Sequence, residues 1–292
     1  YTGRYQNDFT YDANGNIETA VANNANGDVI DNQVYNYYKP GNNKQNNRLY
    51  SITDIATITS GKDLPSGQIA FDNADLLNNN YRYNELGELV YDKQMGIDEI
   101  TWGNNGKIQT VTYSEASGKY NLKFDYNHTG KRIAKHVYNQ NNTLLRSEYY
   151  TRDASDNVMA VYRLEVDEQN QEVSFRLKER HIYSTSMLGI DRQEVELIDP
   201  VATNNTQSHI VGLKSYTGSN HLGNVLTTFS DKKLPVDENS DGIIDYYKAD
   251  IISSSDYAPF GAQLAERSFF SENYPNSFNG KRDDPELGDW QD

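Results

Sequence analysis

The pattern that decides the fold is Tyr83-Asn84-Glu85-Leu86-Gly87-Glu88-Leu89, which recurs along the chain. It joins an aromatic residue, an Asp, Asn or Gly, two variable residues, a Gly, a polar residue and an aliphatic one. The aromatic residue ends a strand, and the Asx side chain starts a turn by accepting hydrogen bonds from backbone amides. The Gly supplies a positive φ, and the aliphatic residue begins the returning strand. Further copies occupy residues 11–17, 102–108 and 126–133, the last with one extra residue. Each copy therefore predicts a β-hairpin turn.

The segments between these turns alternate between apolar and polar residues. In residues 120–126 the aromatic and aliphatic side chains fall on one face of a strand and the polar ones on the other. Residues 158–166 and 173–177 alternate in the same way around the polar stretch 167–171, which predicts a hairpin. No segment of a dozen residues carries a helical apolar stripe, and the best candidate, 73–79, is too short for a helix.

These patterns predict an all-β fold of repeated antiparallel β-hairpins in one continuous region over residues 1–292. Polar low-complexity stretches are expected to be loops, and they are residues 40–47, 60–66 and 203–208. Because Tyr1 stands in the middle of an expected strand, we interpret the chain as a piece of a longer protein.

The composition excludes several classes of protein. The 292 residues include 23 Tyr and 20 Gly but no Cys, so disulfide scaffolds, Cys-based zinc sites and thiol nucleophiles are ruled out. With a net charge of -15, the chain is not expected to bind nucleic acid, because phosphate affinity comes chiefly from Lys and Arg. No apolar run is long enough for a membrane span.

Four later segments are more specific than the turn pattern. They are residues 150–158, 220–225, 256–261 and 278–281. The first resembles "Y-x-x-D-x-x-G-N-V" with Asp156 at the Gly position, and the second resembles "D-H-L-G-N-V" with Asn220 at the Asp position. The others match "D-Y-x-P-F-G" and "F-N-G-K". In this order they resemble the end of the repeat region of Rhs (rearrangement hotspot) or YD-repeat proteins of the Bacteroidetes type.

The resemblance implies a long β-sheet ribbon that spirals into a hollow cocoon, often around a C-terminal toxin. It implies a non-enzymatic structural segment of a secreted or cell-surface bacterial protein, exported by a specialised secretion system. The expected partners are the remaining segments of its own chain, a C-terminal toxin or cargo, the secretion machinery or a surface protein. About 200 strand residues at about 16 Å² each close a sphere of only about 16 Å radius, so this segment alone is too small for a complete shell. The closing motif and paired-Asp cleavage element of some family members do not occur in the sequence.

One acidic stretch, within residues 231–250, has the spacing of a calcium loop. Its ligands would be Asp237, Asn239, Asp241, Asp245 and the Ile243 carbonyl. This is the D-x-[DN]-x-D-G-x-x-D pattern, in which Gly242 makes the sharp turn and oxygens converge on a structural Ca²⁺. Lys248 stands at the twelfth position, where a bidentate carboxylate belongs, so Asp250 or water would have to complete the shell. A loop without metal is the alternative.

Two other functions remain open at this point. A carbohydrate or cell-surface adhesin module would use a tyrosine-rich face with calcium-stiffened loops. A glycan-active enzyme would need two carboxylates that face each other across a groove, a separation that sequence does not specify. We predict no enzymatic activity, since neither a nucleophile elbow nor a phosphate-binding loop is present and the five histidines lack metal-ligand spacing.

Overall fold

The computed structural model describes residues 3–38, 46–56, 71–72, 74–198, 209–257, 263–264, 267–270 and 286. This part of the chain forms nineteen β-strands and two short 3-10 turns, and no α-helix is found in it. The prediction of an all-β fold built from antiparallel hairpins is confirmed. The weak helix candidate contributes only the 3-10 turn Leu76–Asn78.

Some predicted features lie outside the described residues. They are the expected loops 60–66 and 203–208, most of the loop 40–47, the motif 278–281 and residues 258–261 of the motif 256–261. Among the described residues, no helical segment is long and apolar enough to cross a membrane.

The chain divides into two compact units, Tyr1–Lys123 and Phe124–Asp292. The first unit contains a four-stranded sheet of order β1-β2-β3-β4, and then the antiparallel series β5-β6-β7-β8-β9. The strands are β1 (Asn7–Tyr11), β2 (Ile17–Asn23), β3 (Val29–Tyr37), β4 (Leu49–Asp54), β5 (Tyr81–Tyr83), β6 (Leu89–Asp92), β7 (Ile97–Trp102), β8 (Ile108–Tyr113) and β9 (Asn121–Tyr126), which ends beyond the boundary.

The second unit continues the same hairpin architecture. Its strand order is β10-β11-β12-β13-β14-β16-β17-β18-β19, and the short β15 pairs with β13. The strands are β10 (Arg132–Tyr138), β11 (Leu144–Arg152), β12 (Val158–Val166), β13 (Val173–Tyr183), β14 (Met187–Asp191), β15 (Val195–Glu196), β16 (Lys214–Ser219), β17 (Val225–Val236), β18 (Tyr246–Ser254) and β19 (Phe269–Phe270).

The register confirms the predicted hairpin around residues 167–171. Val166 pairs with Val173, and Leu164 pairs with Phe175. On the face that carries these apolar residues, aromatic rings contact one another across strands: the ring centroids of Tyr149 and Phe175 are 6.2 Å apart, and those of Tyr162 and Phe175 are 6.0 Å apart. Such cross-strand pairs stabilise a sheet in the way that side-chain pairs stabilise a helix.

Each unit buries its own apolar residues. In the first unit Ile97, Ile100, Val111, Tyr113 and Leu122 are at most 2% exposed. In the second unit the most buried large side chains are Val137, Val161 and Ile190. The predicted apolar face of β9 is confirmed at Leu122 and Phe124, which are buried, whereas Tyr120, just before the strand, is exposed.

Candidate functional site

Eight hairpin turns of the described residues close with the same pair of backbone hydrogen bonds. The amide of the first turn residue donates to the carbonyl four residues on, and the amide of the fourth donates back to the first carbonyl. These turns span residues 12–16, 24–28, 84–88, 103–107, 127–131, 139–143, 153–157 and 220–224. All four turns predicted from the repeat are among them, so that prediction is confirmed.

The Asx residue that opens a turn has the role expected of it. The Oδ1 atom of Asn127 accepts the amides of Thr129 at 3.1 Å and Lys131 at 2.8 Å. In the turn that begins at Asp153, hydrogen bonds from the Asn157 side chain and amide lower the pKa of the exposed Asp153 carboxyl. The side chain therefore holds the turn closed by local bonds.

The fourth turn residue adopts the left-handed conformation, where Gly is favoured. Gly87 has φ 88°, but Asn142 and Asp156 stand at the same position with φ 59° and 64°. The carboxylate of Asp156 accepts the Thr129 hydroxyl at 2.8 Å and the Asn127 side-chain amide at 3.1 Å. These two bonds, the Thr129 bond most of all, lower the pKa of Asp156. The departure from Gly thus ties the turn at residues 153–157 to the turn at residues 127–131.

The candidate calcium loop connects β17 and β18, which form the longest hairpin described in the second unit. Val236 pairs with Tyr246 at its base, and the Asp245 amide donates to the Val236 carbonyl at 2.9 Å. Asp237 is half-buried, the side chains of residues 238–245 are exposed, and Ser240 and Gly242 adopt positive φ. The predicted ligand residues are therefore gathered in one closed loop.

Inside this loop, the predicted ligand oxygens accept backbone amides. The Asp237 carboxylate accepts the amides of Asp241 at 3.2 Å and Gly242 at 2.7 Å. The amide of Asp241 also donates to Asn239 Oδ1 at 2.9 Å, and Asp241 Oδ1 accepts the Ile243 amide at 2.8 Å. These bonds fold the loop around the side chains at its first, third and fifth positions.

The predicted ligand oxygens lie together in one loop, but the carboxylates by themselves do not form a complete metal site. No group of three or more His, Cys, Asp or Glu side chains in the described residues is placed to hold a metal ion. The Lys248 amine lies 5.6 Å from the centroid of the Tyr246 ring, and Asp250 accepts the Ser230 hydroxyl at 2.7 Å. Calcium binding stays a prediction.

A row of charged side chains crosses the sheet of the second unit. The sequence patterns did not predict this row. Its members are direct cross-strand neighbours, in the order Lys135, Glu148, Arg163, Arg176 and Glu196. Arg163 donates to the Glu148 carboxylate at 2.7 Å, and Arg176 donates to Glu196 at 2.8 Å. The charges satisfy one another inside the sheet, so the row does not have the open geometry of a catalytic carboxylate pair.

The buried end of this row recruits a residue from the far end of the chain. Lys135 and Glu148 are each 3% exposed, and their charged atoms are 3.4 Å apart. The Glu286 carboxylate lies 2.7 Å from the Lys135 amine and also pairs with Arg146. Glu286 thereby balances the excess of positive charge around Lys135.

His136 lies between a serine and an aspartate, the residue types of a hydrolase triad. One ring nitrogen is 2.8 Å from the Ser147 hydroxyl, and the other is 2.9 Å from the Asp125 carboxylate. Ser147 is fully buried, so its hydroxyl cannot reach a substrate. The arrangement is a row of hydrogen bonds across β9, β10 and β11.

Comparisons with known proteins give a distant likeness of fold. The crystal structure of TcdB2-TccC3 matches with a TM-score of 0.41 and 11% sequence identity, over 96% of this chain and 16% of that chain. The crystal structure of TcdB2-TccC3-Cdc42 gives the same values. This chain thus spans a small part of the length of the chains it matches. No protein-family model matches the sequence, and no curated protein is similar to it.

Proposed function

We propose that this chain is a non-enzymatic structural segment of a secreted or cell-surface bacterial protein, and that it forms part of a β-shell of the Rhs/YD-repeat kind. The observation that carries the proposal is the reuse of one hairpin turn, with the same backbone bonds, at eight places. A chain built from one repeated supersecondary unit extends a sheet. The sequence motifs that resemble the Rhs family support the same function.

The last long strand offers an edge on which such a sheet would continue. Among the described residues, β18 pairs with β19 only at Ser253 and Ser254. Tyr247 and Ile251 on β18 are 57% and 44% exposed. Unpaired strand edges with exposed apolar residues bind further strands, so the partner at this edge would be the remainder of the same chain, a toxin or cargo segment, or a surface protein.

Association with flanking segments tests this proposal. We expect the isolated chain to self-associate in light scattering after gel filtration, and to become monomeric when it is co-expressed with the adjoining segments of its own protein. The double substitution Tyr247→Lys and Ile251→Lys should suppress self-association, because charges block edge pairing. Leu86→Lys, at a turn residue that is 83% exposed, is the control and should leave self-association unchanged. A chain that is monomeric and does not bind its flanking segments would contradict the proposal.

We also propose that residues 237–245 bind Ca²⁺ and stiffen the β17–β18 hairpin. Tyr246 and Tyr247 follow the loop directly, so they serve as light donors for Tb³⁺ bound in place of Ca²⁺. We expect tyrosine-sensitised Tb³⁺ emission that Ca²⁺ competes away. Replacing Asp237 and Asp241 together by Asn keeps the size of both side chains but removes two charges, which should weaken binding by about tenfold or more.

The matched control for the calcium experiment is Asp98→Asn, at an exposed position of β7 in the other unit. Emission should be the same in this variant as in the parent chain. Absence of Tb³⁺ emission, or equal emission from the Asp237/Asp241 variant, would show that the loop is closed by its own hydrogen bonds and needs no metal.

A further inference from the structure

A groove lies in the first unit beside two of the repeated turns, residues 84–88 and 103–107. Its volume is about 610 Å³, within the range of about 300–1,000 Å³ that is typical of small-ligand sites. Val90 and Ile100 contribute apolar walls, and Glu88 and Asn104 contribute polar groups. The groove is open to solvent along one side.

The repeat departs from its own pattern at this groove. The copy at residues 102–108 has Trp102 followed by Gly103, whereas the other three predicted copies have Tyr followed by Asp or Asn. Both exceptional residues line the groove. Asn105 takes over the missing turn bond, because its Oδ1 atom accepts the Lys107 amide at 3.1 Å. The turn therefore closes without an Asx residue at position 103, and the ends of the Asn105 and Gln109 side chains lie where that side chain would begin.

The side chains of the groove are held in place by bonds that leave binding groups available. The Trp102 ring N–H donates to the Leu89 carbonyl at 2.7 Å, which fixes the ring and leaves its face for contact. The Asn84 side-chain amide donates to one Glu88 oxygen at 2.7 Å, and the Glu88 amide donates to Asn84 Oδ1 at 2.9 Å. The second Glu88 oxygen and the Asn104 amide remain to bind a ligand.

We propose that this groove binds a neutral saccharide. A pyranose ring has an apolar face that packs on an indole, and hydroxyl groups that donate to a carboxylate and both donate to and accept from an amide. Glu88 and the net charge of -15 disfavour acidic sugars and other anions. The recognition site consists of Trp102, Glu88 and Asn104. This inference goes beyond the structural function and does not depend on it.

The chain has two tryptophans, so one substitution makes Trp102 the sole indole reporter. In a Trp290→Phe chain, we expect titration with the methyl glycosides of mannose, galactose and N-acetylglucosamine to give a saturable change in Trp102 emission for at least one of them, with millimolar affinity. Saturation-transfer NMR on the same samples should show contact with the sugar protons. If no neutral glycoside gives either signal, or if only glucuronic acid does, the proposal is overturned.

Substitutions in the groove distinguish a loss of binding from a loss of folding. Gly103→Asn restores the residue type of the other turns and adds bulk to the lining of the groove; its Cβ would displace the ends of the Asn105 and Gln109 side chains, which are flexible. We expect this variant to fold and to lose binding. Glu88→Gln should weaken binding about tenfold through the lost charge-assisted hydrogen bond, while Glu115→Gln, at an exposed site away from the groove, should not. Unchanged binding in Gly103→Asn would contradict the assignment.

Discussion

Replacing Gly189 by Ala is expected to lower the free energy of unfolding by about 3 kcal/mol or more, because a side chain at this site meets backbone. A Cβ atom built on Gly189 would lie 2.1 Å from the Ser215 carbonyl oxygen of the paired strand β16. A backbone oxygen inside a ladder cannot rotate away, so β14 and β16 would have to separate. The next residue, Ile190, is fully buried and would be displaced with them.

Urea unfolding, followed by circular dichroism in the β region, measures this effect. Leu188→Ala is the matched control on the same strand, since Leu188 is 43% exposed and its truncation should change stability by less than about 1 kcal/mol. A Gly189→Ala chain as stable as the control would mean that the contact between β14 and β16 is looser than described.

Replacing Glu148 by Ala is expected to cost about 3–5 kcal/mol, the usual effect of removing one member of a buried charge group. Glu148 is 3% exposed and accepts from Arg163 at 2.7 Å and from the Tyr150 hydroxyl at 2.9 Å. Without it, Lys135 and Arg163 lose the carboxylate between them. Glu286 then remains as a carboxylate beside Lys135, and the shortfall of negative charge is what destabilises the variant.

Two comparisons make this prediction specific. Glu165→Gln, whose side chain is 42% exposed beside Arg163 and Arg176, should cost at most about 1 kcal/mol in the same urea titration. The double variant Lys135→Met and Glu148→Leu removes the charges as a pair, and it should recover much of the stability lost in Glu148→Ala. Equal losses in Glu148→Ala and Glu165→Gln would contradict the role of burial.

The sequence pattern is sufficient for four of the eight described hairpin turns because each turn needs particular residues at fixed places. An Asx side chain that caps amides, followed by a Gly at positive φ, predicts the turn at residues 84–88, and the backbone bonds confirm it. The turn at 139–143 escapes this pattern because Asn142 replaces Gly in the left-handed conformation. Asn tolerates this conformation but is too common in this chain to mark it.

The charged row and the groove were not predictable because they depend on register. Lys135 and Glu148 face each other only through the pairing of β10 with β11, and that pairing shifts at a bulge next to Tyr138. A shift of one residue would send every side chain to the other face, and local sequence does not fix it. The groove depends likewise on which two turns lie side by side.

The sequence predicted where the candidate calcium loop lies, but not whether its ligand residues hold a metal. Residues 237–245 do form one closed loop between two strands. The pattern of ligand residues is the same with metal and without it, because Asp237 and Asp241 also cap backbone amides in the loop. Only a binding measurement separates the two states.

The most direct test of the central claim is the structure of the full-length protein by electron cryomicroscopy. We expect residues 1–292 to form a stretch of wall in a closed β-shell, with the edge of β18 hydrogen-bonded to a strand from another segment and with polypeptide density inside the shell. An open β-domain whose edges are free in the full-length protein, and which encloses nothing, would contradict the claim.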